Sequence, residues 1–171
     1  MNKEDLRPKF SAVDAALAFD AWGCNCGPTA LAAIAGFTLD EVRPHIPDFE
    51  SKHYTNPTMM NAGLRALGVR FCKIGRRWPA FGLIRVQWEG PWTEPGVPIA
   101  ARYRYTHWIG GCETGGSYGI FDVNALANGS GWVSRENWVA LMVPFLCNLY
   151  PRATGKWHVT HGLQVSLGAR G

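Results

Sequence analysis

The chain changes its hydrophobic period near the middle. Up to Leu67 the apolar residues recur at helical spacing; beyond Gly68 they fall in short runs bounded by Gly and Pro. Residues 11–19 carry Val13, Ala16 and Leu17 on one face and predict a helix. A Gly- and Cys-containing break follows at 22–27. Residues 28–35 predict a second helix, with Pro28 near its start and Gly36 just past its end. Segment 38–42 opens with a capping box, Thr38 capping and Glu41 three residues on. Segment 57–67 places Met60, Leu64 and Leu67 on one face and stops at Gly68. Segments 69–74, 82–88, 97–103, 106–111 and 118–123 predict strands, with a hairpin turn at Gly115-Gly116. A late helix is predicted over 135–143 and a last strand over 157–167. Helices first and strands second predict an α+β domain, its helices packed on one side of a mainly antiparallel sheet. No repeat or linker divides the chain, so one domain over 1–171 is expected.

Composition narrows this little. The chain has 171 residues, 47% hydrophobic and 18% charged, which excludes a disordered or collagen-like protein. The formal charge is +4. Arg70, Lys73, Arg76, Arg77, Arg85, Arg102 and Arg104 fall in one stretch, read here as a solvated sheet face, and no nucleic-acid recognition motif accompanies them. The polar start, residues 1–10, lacks the apolar core of a signal peptide. The longest apolar run, 138–146, is interrupted by Pro144 and is far short of the roughly 20 residues of a membrane span. A cytoplasmic protein without a membrane segment is expected; a phage or secretion machine exports proteins without such a signal.

Five cysteines cannot all pair internally. Cys72 and Cys147 lie in apolar stretches and are expected in the core. Cys24 and Cys26, with Cys112 and a histidine, are one candidate zinc set, but structural sites favour two to four residues between paired cysteines and Cys-Asn-Cys has one. No metal or other cofactor is expected. His158-Val-Thr-His161 reads as a surface strand rather than a metal site.

The stretch Gly23-Cys24-Asn25-Cys26-Gly27-Pro28-Thr29-Ala30-Leu31 carries the chemistry. A cysteine that opens a helix sits beside unpaired backbone N–H groups and the positive end of the helix dipole, which favour thiolate, the nucleophilic form. Gly27 permits close approach of a substrate backbone, and the Cys26 N–H can face a developing oxyanion. A nucleophilic cysteine needs a base, and the base an orienting group. His107 lies in a predicted strand, and Asp122 and Asn124 follow near the next one, two residues apart and so on the same face. The bland readings are a buried structural thiol for Cys26, a core imidazole for His107 and a turn-starting carboxylate for Asp122.

Asn-Cys-Gly-Pro-Thr-Ala-Leu, then a strand with His-Trp-Ile, then Phe-Asp-Val-Asn about fifteen residues on, resembles the papain-like cysteine peptidase superfamily. The branch it looks most similar to is the C39 and C39-like peptidases. The resemblance covers roughly residues 20–146 and implies a papain-like fold. It implies Cys26 as nucleophile, His107 as general base and then acid, and Asp122 as orienting residue with Asn124 in reserve. The substrate would be a peptide or protein, cleaved through a thioester without a cofactor, with a small residue before the scissile bond. One departure stands out. The family carries a Gln about six residues before the cysteine to help hold the oxyanion, and Asp20 stands here. A carboxylate there would repel the oxyanion, with Asn25 or a backbone N–H as its substitute. Asp20 therefore motivates a second reading, a catalytically weakened domain serving as a binding or structural component, for instance of a phage particle or secretion system. Acyl transfer to an amine, as in transglutaminase-like relatives, is a third.

Overall fold

In the computed structural model, described over residues 6–150 and 152–166, helices precede a sheet as the periodicity predicts. The far end of the expected last strand, at 167, lies outside the described residues. The helices are α1 (Ala12–Trp22), α2 (Cys26–Ala35), α3 (Leu39–Val42), α4 (Phe49–Lys52) and α5 (Pro57–Ala66). The capping box at Thr38 forms with Glu41. A second one, Ser11 with Asp14, starts α1, and Gly23 in the left-handed conformation ends it. The apolar stripe read on α1 is not the face that docks: Val13 and Leu17 are exposed, and Ala15, Ala18 and Trp22 are buried. Ala15 lies in one cluster with Ala33 and Phe121, a close approach that larger side chains would hold apart.

The strands are β1 (Arg70–Lys73), β2 (Phe81–Glu89), β3 (Tyr103–Thr114), β4 (Ser117–Phe121), β5 (Trp132–Ser134) and β6 (Trp157–Ser166). They form one sheet in the order β1-β6-β2-β3-β4-β5, every neighbouring pair antiparallel. The last strand thus inserts between the first two. Gly115 and Gly116 join β3 to β4 with φ of 58° and 79°, the left-handed pair that a tight hairpin requires. Segment 97–103 is not a strand: Pro98 caps the short α6 (Ile99–Arg102), the Arg102 guanidinium donates to the Val97 carbonyl, and β3 begins only at Tyr103.

Helices cover both faces of the sheet, not one. On the first face Ala30, Leu31 and Ile34 of α2 pack against Leu83, Trp108, Leu163 and Val165. Gly110 lets α2 lie this close, because a Cβ there would meet Ile34 at 2.9 Å. On the second face Ile84, Val86, Trp88, Ile109 and Ile120 pack against Trp138, Val143 and Leu146. These come from a continuous helical run: α7 (Arg135–Asn137), a π-helical stretch (Trp138–Met142) and α8 (Val143–Leu149), which starts at Pro144's permitted first-turn position. The central strand β2 therefore packs apolar side chains on both faces around Leu83 and Ile84, while its first face turns polar at Arg85 and Gln87.

Two expectations about single residues fail. Cys72 is exposed on the edge strand β1, and Cys147 is half-buried. Of the basic stretch, Arg70, Lys73, Arg76, Arg77 and Arg104 are solvated as read, but Arg85 and Arg102 are half-buried.

Candidate active site

Cys26 is the first residue of α2. Asn25 precedes it as N-cap residue but makes no side-chain cap bond; its amide Nδ2 instead donates to the Ala15 carbonyl at 2.7 Å. That contact ties α1 to the turn and leaves the first-turn N–H groups of α2 uncapped by a side chain. It also commits one of the two Nδ2 N–H groups of Asn25, the substitute oxyanion donor, to α1. Thr29 donates to the Asn25 carbonyl at 2.8 Å and fixes the turn from inside the helix. The space beside Gly27 is filled by the protein itself: a Cβ there would lie 2.1 Å from Thr55 Oγ1, so the glycine admits Thr55, not substrate. The Thr55 carbonyl in turn accepts the Trp108 indole N–H at 3.3 Å.

The strand β3 has two partners over only part of its length. Residues 110–114 pair with β4, while 103–109 pair with β2 alone. The N-terminus of α2 meets this open edge: the Trp108 backbone N–H donates to the Cys26 sulfur. His107, next along the strand, hydrogen-bonds the same sulfur and is itself buried. Its Nε2 lies 3.1 Å from Asp122 Oδ2, so Nδ1 is the ring atom left for Cys26.

Asp122 is fully buried and every near contact to it is a donor. Oδ2 accepts from His107 and from the Trp138 indole Nε1 at 2.9 Å. Oδ1 accepts from the backbone N and the side-chain Nδ2 of Asn124, each at 3.0 Å. Asp122, not Asn124, therefore meets the imidazole; Asn124 holds the carboxylate from behind. Asp122 also caps the 3-10 turn of Val123–Asn128, which follows β4.

The charges are mutually dependent. Burial opposes ionisation of Cys26, but the hydrogen bond and charge of His107 and the Trp108 N–H outweigh it and bring the thiol below its ordinary value of 9.0. Burial opposes the imidazolium as well, and Asp122, then Cys26, outweigh it, raising His107 from 6.5 to about 10. Burial pushes Asp122 up, and His107, Trp138 and the Asn124 N–H bring it down from 3.8 to about 2. The imidazolium thus favours the Cys26 thiolate, and the Asp122 carboxylate favours the imidazolium. Cys24 is the opposite case. Burial pushes it up to about 12, so it stays a thiol and is no rival nucleophile.

Cys26, His107, Asp122 and Asn124 are thus brought together. Asp20 is exposed in the last turn of α1. Trp138, which supplies the indole N–H to Asp122, is not distinguished by the sequence from the other core tryptophans; the Trp132 indole N–H donates to the Leu6 carbonyl at 2.7 Å. Trp138→Phe is expected to lower stability by about 1–3 kcal/mol, because a buried carboxylate loses a donor. A urea midpoint equal to wild type would overturn this.

Among the described residues no group of three or more His, Cys, Asp or Glu is placed to hold a metal ion. None of the helices described is long and apolar enough to cross a membrane. No family model, curated protein or solved structure matches the chain.

Proposed function

We propose that this chain is a cysteine-type hydrolase of peptide or isopeptide bonds, with a papain-like arrangement of helix and sheet. The observation that supports this best is the Cys26–His107–Asp122 row, half-buried at Cys26 and buried beyond it, whose carboxylate is further held by Trp138 and Asn124. A structural thiol needs none of these partners.

The Cys26 thiolate attacks the carbonyl carbon, forming a C–S bond while the carbonyl π electrons move to oxygen. The oxyanion faces the uncapped N–H groups at the start of α2. As the tetrahedral species collapses the C–N bond breaks, and the imidazolium of His107 gives its proton to the leaving amine. The neutral ring then takes a proton from water, whose oxygen attacks the thioester. The C–S bond breaks, releasing a carboxylic acid and the thiolate. Asp122 holds the ring so that its other nitrogen faces sulfur throughout. Asp20, the motive for a weakened binding domain, is exposed on α1, and the contacts of Cys26, His107 and Asp122 support the hydrolase reading over that one.

The test is alkylation of wild type and Cys26→Ala by iodoacetamide, scored by intact mass from acid pH to beyond about 10. Wild type is expected to take one fast adduct that the variant lacks. Its rate should rise through a pKa below 9.0, hold a plateau, and change again near 10 as His107 loses its proton. Equal, slow labelling of all cysteines with a single pKa near 9.0 would overturn the proposal.

A further inference from the structure

A cleft of about 630 Å³ opens on the first face of the sheet, beyond the N-terminal end of α2. Its position relative to the nucleophile follows from the strand register. Trp108, whose N–H holds the Cys26 sulfur, lies opposite Arg85 on β2, and Arg85 lies opposite His161 on β6. Directly opposed residues project from the same face, so this rung runs from the nucleophile into the cleft. At strand spacing, Arg85 is about 5 Å and His161 about 10 Å across the sheet from Trp108. The register shifts at Arg85/Val86, leaving Thr160 as an extra residue on β6. Such bulges re-aim side chains beside functional sites. Here Thr160 donates to the Arg85 carbonyl at 3.2 Å and turns into the cleft.

The lining is positive. Arg76, Arg85, His158, His161, Tyr103 and Thr160 contribute, and no carboxylate is found among the described lining residues. The guanidinium of Arg85 is half-buried; among the described residues its Nε is buried with no hydrogen-bond partner, and its Nη1 reaches Thr160, at 3.4 Å. A buried donor left unmatched is costly, and a carboxylate matches two guanidinium N–H groups at once. Burial, followed by the neighbouring cations, holds both His158 and His161 below 6.5, so near neutral pH the arginines supply the charge.

We propose that this cleft is a specificity subsite for a carboxylate of the peptide substrate, bound by Arg85 and Arg76 within about three residues of the scissile carbonyl. The inference rests on the hydrolase reading above. The carboxylate comes from an acidic side chain or from the free end of the substrate chain, and the two sources are separable.

The probes are short peptides with an internal α,β-unsaturated amide at the cleavage position; the thiolate adds to the β-carbon and the α-carbon takes a proton. One series carries Asp at successive positions with an amidated terminus, one carries a free terminal carboxylate, and one carries Asn and an amidated terminus throughout. Each labelling rate of Cys26 is divided by the same protein's iodoacetamide rate, so that changes in thiolate reactivity cancel. In wild type a carboxylate probe is expected to react about tenfold faster than its amide counterpart. The series that shows the advantage identifies the source. Arg85→Gln should abolish the advantage and Arg76→Gln should reduce it, with both variants checked for an unchanged thermal transition. Equal rates for acid and amide probes, with Cys26 still reactive to iodoacetamide, would overturn the subsite and leave the hydrolase reading intact. So would an advantage that survives both substitutions. A Cys26 no more reactive than Cys72 would overturn the hydrolase reading and this one with it.

Discussion

Replacing His107 by Ala is expected to slow alkylation of Cys26 at pH 7 by at least about tenfold and any peptide hydrolysis by about 100- to 10,000-fold. Two losses combine. The thiolate loses the hydrogen bond and the positive charge that offset its burial, so its pKa returns to 9.0 or above. At pH 7 about one thiol in a hundred is then ionised, partly compensated by the greater nucleophilicity of a more basic thiolate. Hydrolysis loses in addition the proton donor for the leaving amine, which alkylation does not need. The two assays should therefore diverge, and the alkylation gap should close above pH 9 while the hydrolysis gap persists. Rates measured by intact mass that keep the wild-type pH profile in His107→Ala would show that the imidazole does not act on the thiol.

Asp122→Ala is expected to cost about 3–5 kcal/mol of stability, because it leaves a buried imidazolium without its counter-charge. It also removes the cap of the turn Val123–Asn128 and strands the Trp138 indole N–H. Asp122→Asn keeps an oxygen for Asn124 or Trp138 and should cost less, while still lowering the pKa of His107. The pH dependence has a definite sign. Asp122 is depressed from 3.8 to about 2, so its contribution is present above 3.8 and drains away as pH falls through 2. His107 is raised from 6.5 to about 10, so its contribution is present below 6.5 and drains away as pH rises through 10. Wild type should thus be most stable between these limits, and Asp122→Ala should lose the acid slope and weaken the alkaline one, which Cys26 also supports. Urea unfolding of the three proteins across pH measures this. An Asp122→Ala protein as stable as wild type at pH 6 would mean that the pair is not formed.

The local chemistry of the site could be read along the chain because it is local. Helix α2 begins at Cys26 since Gly23 ends α1 and Pro28 suits a first turn, and those are neighbours in sequence. The Gly115-Gly116 hairpin, which brings Asp122 beside His107, was legible for the same reason: a turn and its flanking strands lie within about twenty residues of one another. The partnership of His107 with the distant Cys26 was expected only from the family resemblance. The α+β class followed from the change of period at Gly68.

What the sequence could not determine were relations between distant segments. The placement of β6 between β1 and β2 puts Thr160 and His161 beside Arg85, some 75 positions earlier, and so turns scattered basic residues into a cleft. The approach of the π-helical stretch to the second face chooses Trp138 over Trp132 as the donor to Asp122. The rotation of α1, set by its Ala15 and Ala18 contacts, leaves Val13 and Leu17 exposed. In each case the side chain's identity is compatible with several partners, and only the packing of elements far apart in the chain selects one. Periodicity and spacing report which faces are apolar and which residues are neighbours; burial against a particular partner, and the charge state that burial imposes, exist only once the elements are packed together.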